Sequence, residues 1–214
     1  MRRTVDIVLG SLLLALGSPL IALCALAIKL SDRGPVFYRQ DRIGKDGRRF
    51  RLWKLRTMVE GAEEMGAGIA VDEGDPRITR VGALLRRFSA DELPNLFNVL
   101  RGEMSIVGPR PTVQEQVEQY TPRQRLRLEV KPGITGWAQV NGRASLPWDE
   151  RIELDIHYVE NRSLALDLRI LGRTAKLLVT GRGLYRGSTG GWRPTEASPG
   201  SPRRSRSEAD PPGP

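Results

Sequence analysis

The sequence predicts a mainly helical α+β fold that begins with a membrane helix turned back on itself. Three observations carry this: an almost continuous apolar stretch from Val5 to Ile28 containing Pro19, two strand-like runs around a glycine-bearing turn, and several later segments with apolar residues three and four apart. The expected units are a re-entrant membrane helix at 1–30, a globular domain at 31–184 and a tail at 185–214.

The apolar stretch is long enough to cross a bilayer as one helix of about 20 residues. Its flanks argue otherwise. Arg2 and Arg3 precede it, and Lys29, Arg33, Arg39, Arg42 and Lys45 are among the cations that follow, so the positive-inside rule assigns both ends to the cytoplasm. Pro19 lacks an amide hydrogen and obstructs the carbonyl one turn back, so Ser18-Pro19 is the expected helix break, with the Ser18 hydroxyl free to bond a carbonyl released there. A secretory signal has similar letters, with Arg2-Arg3 and Ala25-Leu26-Ala27 at its ends. The length of the run, Pro19 and the basic stretch behind it speak against cleavage.

After the apolar stretch, Val36-Phe37-Tyr38 and Phe50-Arg51-Leu52-Trp53 flank a turn at Gly44–Gly47 and predict a β-hairpin. Helix formers occupy Val59–Gly68, and a loop-like acidic segment runs from Ile69 to Asp75. Helical periodicity returns at Val81–Phe88 and Glu92–Leu100, and Tyr120–Val130 reads as a charged helix with Pro122 in its first turn. Along Leu164–Val179, the residues Leu164, Leu168, Leu171, Ala175 and Leu178 form one stripe beside Arg169, Arg173 and Lys176. That stripe suits either a membrane interface or burial against the domain. From Tyr185 onward, glycine, proline, serine and arginine cannot bury enough surface to offset the entropy of ordering, so a disordered tail is expected.

With 34 Lys and Arg against 25 Asp and Glu, the chain carries a formal charge of +9, which favours phosphorylated substrates, anionic lipid or nucleic acid. Cys24 is the only cysteine and His157 the only histidine, which excludes a disulfide and any cysteine- or histidine-rich metal cluster. Chemistry is left to carboxylates and cations. The densest candidates run from Asp75-Pro76-Arg77 through Arg86, Arg87, Asp91 and Glu92 to Gly108-Pro109-Arg110-Pro111, where guanidinium groups suit phosphate oxygens and paired acids can serve two roles at one phosphorus. Structural ion pairs fit the same letters. A divalent cation, Mg2+, is required if a diphosphate is to approach a carboxylate without prohibitive repulsion. Farther on, Lys131-Pro132-Gly133 and Gly136-Trp137, followed by Gln139, Asn141 and Arg143, suit either phosphate contact or two turns around a short strand. Trp137, Trp148 and Tyr158 suit base stacking, a membrane surface or core.

Read together, these stretches resemble the bacterial sugar transferase family, the monotopic polyprenyl-phosphate phosphoglycosyl transferases, in its minimal form. The likeness covers about Arg2 to Gly183. It rests on Ser18-Pro19, Gly34-Pro35-Val36-Phe37-Tyr38, Lys54-Leu55-Arg56-Thr57-Met58, Asp75-Pro76-Arg77, Leu85-Arg86-Arg87, Ser89 through Pro94, and Gly108 to Pro111. Ala90, Asn95 and Leu55 depart from the commoner leucine, glutamine and phenylalanine, and no charged group is lost. The resemblance implies a catalytic domain on the cytosolic face of the bacterial inner membrane, held by the re-entrant helix and interfacial amphipathic helices. It implies a dyad of Asp91 and Glu92, with Asp91 attacking the β-phosphorus of a UDP-sugar, expelling UMP and holding the phosphosugar for polyprenyl phosphate. Mg2+ on Asp91 and Glu92, and phosphate contacts from Arg86, Arg87, Arg110, Arg143 and Lys131, complete that picture. UDP-sugar, polyprenyl phosphate and anionic lipid are the expected partners, and nucleic acid is not.

Overall fold

The computed structural model describes residues 2–62, 65, 71, 74–142 and 145–180. The tail expected at 185–214 and half of the helix expected at 59–68 therefore lie outside the described residues, and the described half of that segment is turn and bend rather than helix. Helix α1 spans Arg2–Asp32, followed by strands β1 (Phe37–Ile43) and β2 (Arg49–Leu55). Helices α2 (Arg80–Arg87) and α3 (Asn95–Arg101) flank a 3-10 turn at Ala90–Glu92, and strand β3 (Ser105–Val107) comes next. Short helices α4 (Gln114–Glu118) and α5 (Pro122–Arg125) precede strand β4 (Gly133–Thr135), helix α6 (Trp137–Val140) and the longer α7 (Trp148–Glu160) and α8 (Leu164–Thr180).

The chain is helical from Arg2 to Asp32 without interruption, so the helix break expected at Ser18-Pro19 is not there. The physical reason lies in one hydrogen bond. Proline at 19 leaves the carbonyl of Ala15 without its amide partner, and the Ser18 hydroxyl donates to that oxygen at 2.9 Å. One stripe of α1, made of Asp6, Gly10, Cys24 and Ile28, is buried against the domain, and Gly17 lies in the same series with Leu93 close by. Leu9 and Leu14 pack against the core, and the other leucines of α1 point outward, among them Leu16 and Leu30, each at least 70% exposed. This is the one described helix long and apolar enough to cross a membrane.

Both ends of α1 are tied down. Near its start, the Arg3 guanidinium donates to the carbonyls of Val99 and Leu100, and buried Asp6 accepts from the Ser105 hydroxyl and the Ile106 amide, each at 2.9 Å. The lone acid in the apolar run is thus a lock on β3. At the other end Asp32 pairs with buried Arg56.

The hairpin forms as its alternation predicts, with β1 antiparallel to β2 from Phe37 opposite Leu55 to Ile43 opposite Arg49. Phe50 and Leu52 face a core shared with Leu96, Val99, Met104, Ile106, Tyr158 and Ile170. The second sheet pairs β3 with β4 in parallel. Its close approach requires glycine: a Cβ on Gly133 would lie 2.1 Å from the Gly108 nitrogen, and one on Gly136 would lie 2.1 Å from the Gly108 oxygen. These glycines serve backbone packing, the ligand-free alternative for that segment.

Two sequence expectations change in detail. The helix expected at Tyr120–Val130 splits into α5, capped by Thr121 with Pro122 in its first turn, and a 3-10 turn at Leu126–Glu129. In α8 the domain buries Leu166 and Ile170 and leaves Leu164, Leu168 and Leu178 exposed. Polar pins select that face: Asp167 accepts from the Tyr158 hydroxyl at 2.8 Å, and Thr174 bonds Thr135 at 2.7 Å.

Candidate active site

Asp91 and Glu92 lie on the tight 3-10 turn between α2 and α3, not on the longer helix that the periodicity suggested. Ser89 enters that turn in the left-handed region at φ 54°, a conformation uncommon for a residue with a side chain and often found at functional sites. The turn sends the two carboxylates into different surroundings. Ala90 packs beside Cys24, Ile28, Leu55 and Leu85, so one side of the turn faces α1.

Glu92 is locked. Its Oε1 accepts from Lys54 Nζ at 2.7 Å and from Arg110 Nη2 at 2.8 Å. Burial alone would push its carboxyl up, but Arg110 and Lys54 outweigh that and hold it well below the usual range. Asp91 is buried too, and its side chain makes no hydrogen bond or ion pair among the described residues. Burial pushes its carboxyl up; Lys54 pulls against this, and the charge on Glu92 reinforces it. One acid is therefore neutralised by two cations while its neighbour keeps its oxygens free.

Of the expected phosphate-binding residues, the structure brings Arg86 and Arg110 to the dyad. Arg86 donates from Nε to the Thr57 hydroxyl at 2.9 Å and acts electrostatically on Asp91. This depends on close helix packing, because a Cβ on Gly82 would lie 1.9 Å from the Thr57 carbonyl oxygen. Arg87 points elsewhere, over the exposed ring of Phe88 at 5.7 Å. Lys131 lies at the far end of α1, where burial and nearby Arg3 lower its pKa and its Nζ approaches Gly102. Arg143 lies outside the described residues. Among the aromatics, Tyr158 is core, whereas Trp137 and Trp148 sit beneath Arg173 and Arg151.

Sequence reasoning missed Lys54. Its only signal was its place in the Lys54-to-Met58 motif, and the hairpin delivers it from β2 to Glu92. It also missed Arg127, whose buried side chain donates to Asp155, to the Tyr120 hydroxyl and to the Arg110 carbonyl. A partnerless carboxylate ringed by Lys54, Arg86 and Arg110 can attack a phosphorus or hold a divalent cation, and the cations can bind phosphate oxygens.

The model of the bacterial sugar transferase family matches residues 1–181. The chain belongs to the bacterial sugar transferase family. It is 42% identical over 184 residues to the uncharacterized sugar transferase EpsL of Bacillus subtilis, covering 86% of this chain and 90% of that one. Identity to the exopolysaccharide production protein ExoY of Rhizobium meliloti is 40%, across 86% of this chain and 88% of that protein. The UDP-glucose:undecaprenyl-phosphate glucose-1-phosphate transferase of Escherichia coli is 45% identical over 80% of this chain, which spans 38% of that enzyme. For a bacterial sugar transferase, Asp91 and Glu92 sit on the stretch of the match where the partnerless acid and its cations meet. The chain is therefore a transferase.

Magnesium finds a partial donor set here. No cluster of three or more acidic, histidine or cysteine side chains occurs among the described residues. Magnesium does not need one, because it commonly binds one or two carboxylates together with substrate phosphates and water. Asp91 has free oxygens for this, whereas Glu92 is occupied by Lys54 and Arg110.

Proposed function

We propose that this protein transfers a sugar phosphate from a UDP-sugar to undecaprenyl phosphate or a similar polyprenyl phosphate, releasing UMP and initiating membrane-bound glycan assembly. The named E. coli relative supports the substrate classes. The observation that carries the reading is the buried Asp91 carboxylate without a partner, set beside a Glu92 already neutralised by Lys54 and Arg110.

An Asp91 oxygen attacks the β-phosphorus, the bond from that phosphorus to the bridging oxygen breaks, and the electron pair leaves with UMP. The sugar phosphate is then an acyl phosphate on Asp91. An oxygen of polyprenyl phosphate attacks the same phosphorus and returns the carboxylate. Two displacements replace one difficult transfer between two anions. Arg86 and Arg110 bind phosphate oxygens during both steps, and Lys54 keeps Glu92 ionised and fixed. Magnesium held by Asp91 and the diphosphate would reduce the repulsion between them.

A seat on the cytosolic face of the inner membrane fits the geometry of α1. A helix of 31 residues is about 46 Å long and would carry one end beyond a hydrocarbon core of about 30 Å if it crossed upright away from the domain. Here Arg3 and Asp32 both hold the same domain, which supports an unbroken α1 seated along one leaflet rather than crossing the bilayer. Leu84, Phe88 and Phe97, together with Leu164, Leu168 and Leu178, are exposed and suit an interfacial seat on anionic lipid with Arg87 and Arg169 nearby.

The experiment is a mass-spectrometric search for a phosphosugar adduct after the protein meets magnesium and UDP-sugars without acceptor lipid. An adduct on Asp91, released when polyprenyl phosphate is added, is expected. An adduct on another residue refutes the assignment.

A further inference from the structure

Beyond Glu92, the buried acid Asp155 is ion-paired to Arg127 and feels the charges of Arg151 and Arg110. Arg127 donates to Asp155 and, at 3.0 Å, to the carbonyl of Arg110. The second oxygen of Asp155 is buried with no hydrogen-bond partner. Arg151, one turn before Asp155 on α7, lies 5.5 Å from the centre of the Trp148 ring, and Arg127 lies 5.9 Å from the same centre. Among the described residues Arg151 makes no ion pair and no side-chain hydrogen bond.

The local charges leave a surplus. Lys54 and Arg110 share Glu92, and Arg127 takes Asp155. Among the described residues, Arg151 has no ion-paired counter-ion. Burial, joined by the repulsion of Arg110, brings it down to about 10, so it stays charged at neutral pH. A half-buried guanidinium without a hydrogen-bonded partner is costly, and an anion that accepts from it and from Arg110 removes that cost.

We propose that Arg151, with Arg110 beside it, binds the phosphate of the nucleotide half of the donor, the part that leaves as a nucleoside monophosphate. This rests on the transfer reaction proposed above and assigns one of its two phosphate-bearing substrates to a place. Ala90 and Leu93 face α1 through Ile21, Cys24 and Ile28, so a lipid-borne phosphate reaches the dyad from the α1 side. From Glu92, the chain of contacts through Arg110 and Arg127 leads the other way, to α7 and Arg151. The donor's reacting phosphorus then sits at Asp91, and the phosphate beyond it falls on the surplus charge.

The test is calorimetric titration of UMP into the full chain in lipid nanodiscs, comparing wild type, Arg151→Gln and Arg151→Lys, with unfolding midpoints measured alongside. Arg151→Gln is expected to weaken UMP binding about tenfold, as loss of a charge-assisted pair implies. Arg151→Lys should recover part of it. The KM for UDP-sugar should rise in Arg151→Gln while that for polyprenyl phosphate stays the same. Unchanged UMP affinity in a folded Arg151→Gln protein overturns the proposal, as does a rise confined to the KM for polyprenyl phosphate. Should Arg151→Gln fail to fold, Arg151→Lys decides: wild-type UMP affinity and wild-type KM for UDP-sugar in that variant overturn the proposal, because lysine cannot reproduce the guanidinium fork. Arg151-dependent UMP binding in a wild-type protein that releases no UMP from any UDP-sugar would sink the transfer reading and leave a nucleotide subsite standing.

Discussion

Neutralising the two adjacent acids should move the protein's stability in opposite directions. Asp91 is a buried carboxylate that the fold leaves without a partner, so Asp91→Asn removes a desolvation cost of about 1–2 kcal/mol. For a chain of this size each kcal/mol corresponds to about 2–4 °C, and the unfolding midpoint should rise by about 2–8 °C. Glu92→Gln does the reverse, leaving Lys54 with a neutral acceptor in a site where both side chains are about 15% exposed. The full cost of breaking a buried pair is about 3–5 kcal/mol, and the 41% exposure of Arg110 screens its share, so about 2–3 kcal/mol is expected. That is a fall of about 4–12 °C. The assay is differential scanning fluorimetry in nanodiscs with EDTA, so that no cation occupies Asp91. The pH dependence follows from the directions of the shifts. Asp91 is raised, so the folded state takes up its proton readily, and the advantage of Asp91→Asn should shrink as pH falls through that raised value. Glu92 is depressed, so its contribution is present above the ordinary glutamate range and is lost as pH falls through the lowered value. If both variants shift the midpoint in the same direction at neutral pH, the division between a locked and a free carboxylate is wrong.

Three further outcomes follow from the packing. Gly82→Ala should abolish UMP release and lower the midpoint by more than about 6 °C, since its Cβ would collide with the Thr57 carbonyl and overpacking costs about 1–3 kcal/mol or more; full activity would remove the role given to the α2 approach. Arg86→Ala should reduce kcat/KM for UDP-sugar about 100-fold, equivalent to about 2.7 kcal/mol, whereas Arg87→Ala should leave it within about threefold of wild type, because Arg87 lies over Phe88 and away from the dyad. Asp6→Ala should destabilise the domain by about 2 kcal/mol through the loss of two buried hydrogen bonds to β3; a midpoint change under about 2 °C would contradict that lock.

What was legible in the sequence was what local pattern determines. The hairpin follows from two strand-like runs around a glycine-bearing turn, the start of α5 from Pro122, and the amino-terminal helix from its apolar run. What was hidden depends on partners far away in sequence. Asp6 looked like an interruption of an apolar run until Ser105 and Ile106 were placed beside it. The segment before α2 reads as loop because its order comes from Arg77, which reaches Asp75 and the carbonyls of Ala62 and Met65. The stripe of α8 suited either a membrane interface or burial, and the domain buries Leu166 and Ile170 instead, since the contacts of Asp167 and Thr174 are invisible to periodicity. Pro19 reads as a missing donor that breaks the helix, yet the helix runs through it, because the Ser18 hydroxyl donates to the abandoned carbonyl.

The dyad itself shows the limit most clearly. An Asp-Glu pair names two acids, and the spacing of α3 suggested that both rode on a helix. Their difference arises instead from Ser89, whose left-handed backbone starts a 3-10 turn, and from β2 and the segment after β3, whose Lys54 and Arg110 donate hydrogen bonds to Glu92 and not to Asp91. A strand, a turn and a loop separated by as many as 56 positions thus decide which carboxylate is spent on structure and which is left to react. Exchanging the two residues, Asp91→Glu with Glu92→Asp, should therefore fail to transfer. The shorter acid at 92 would not reach both cations, and the longer one at 91 would displace the attacking oxygen by about one methylene, enough to cost about 100-fold in rate.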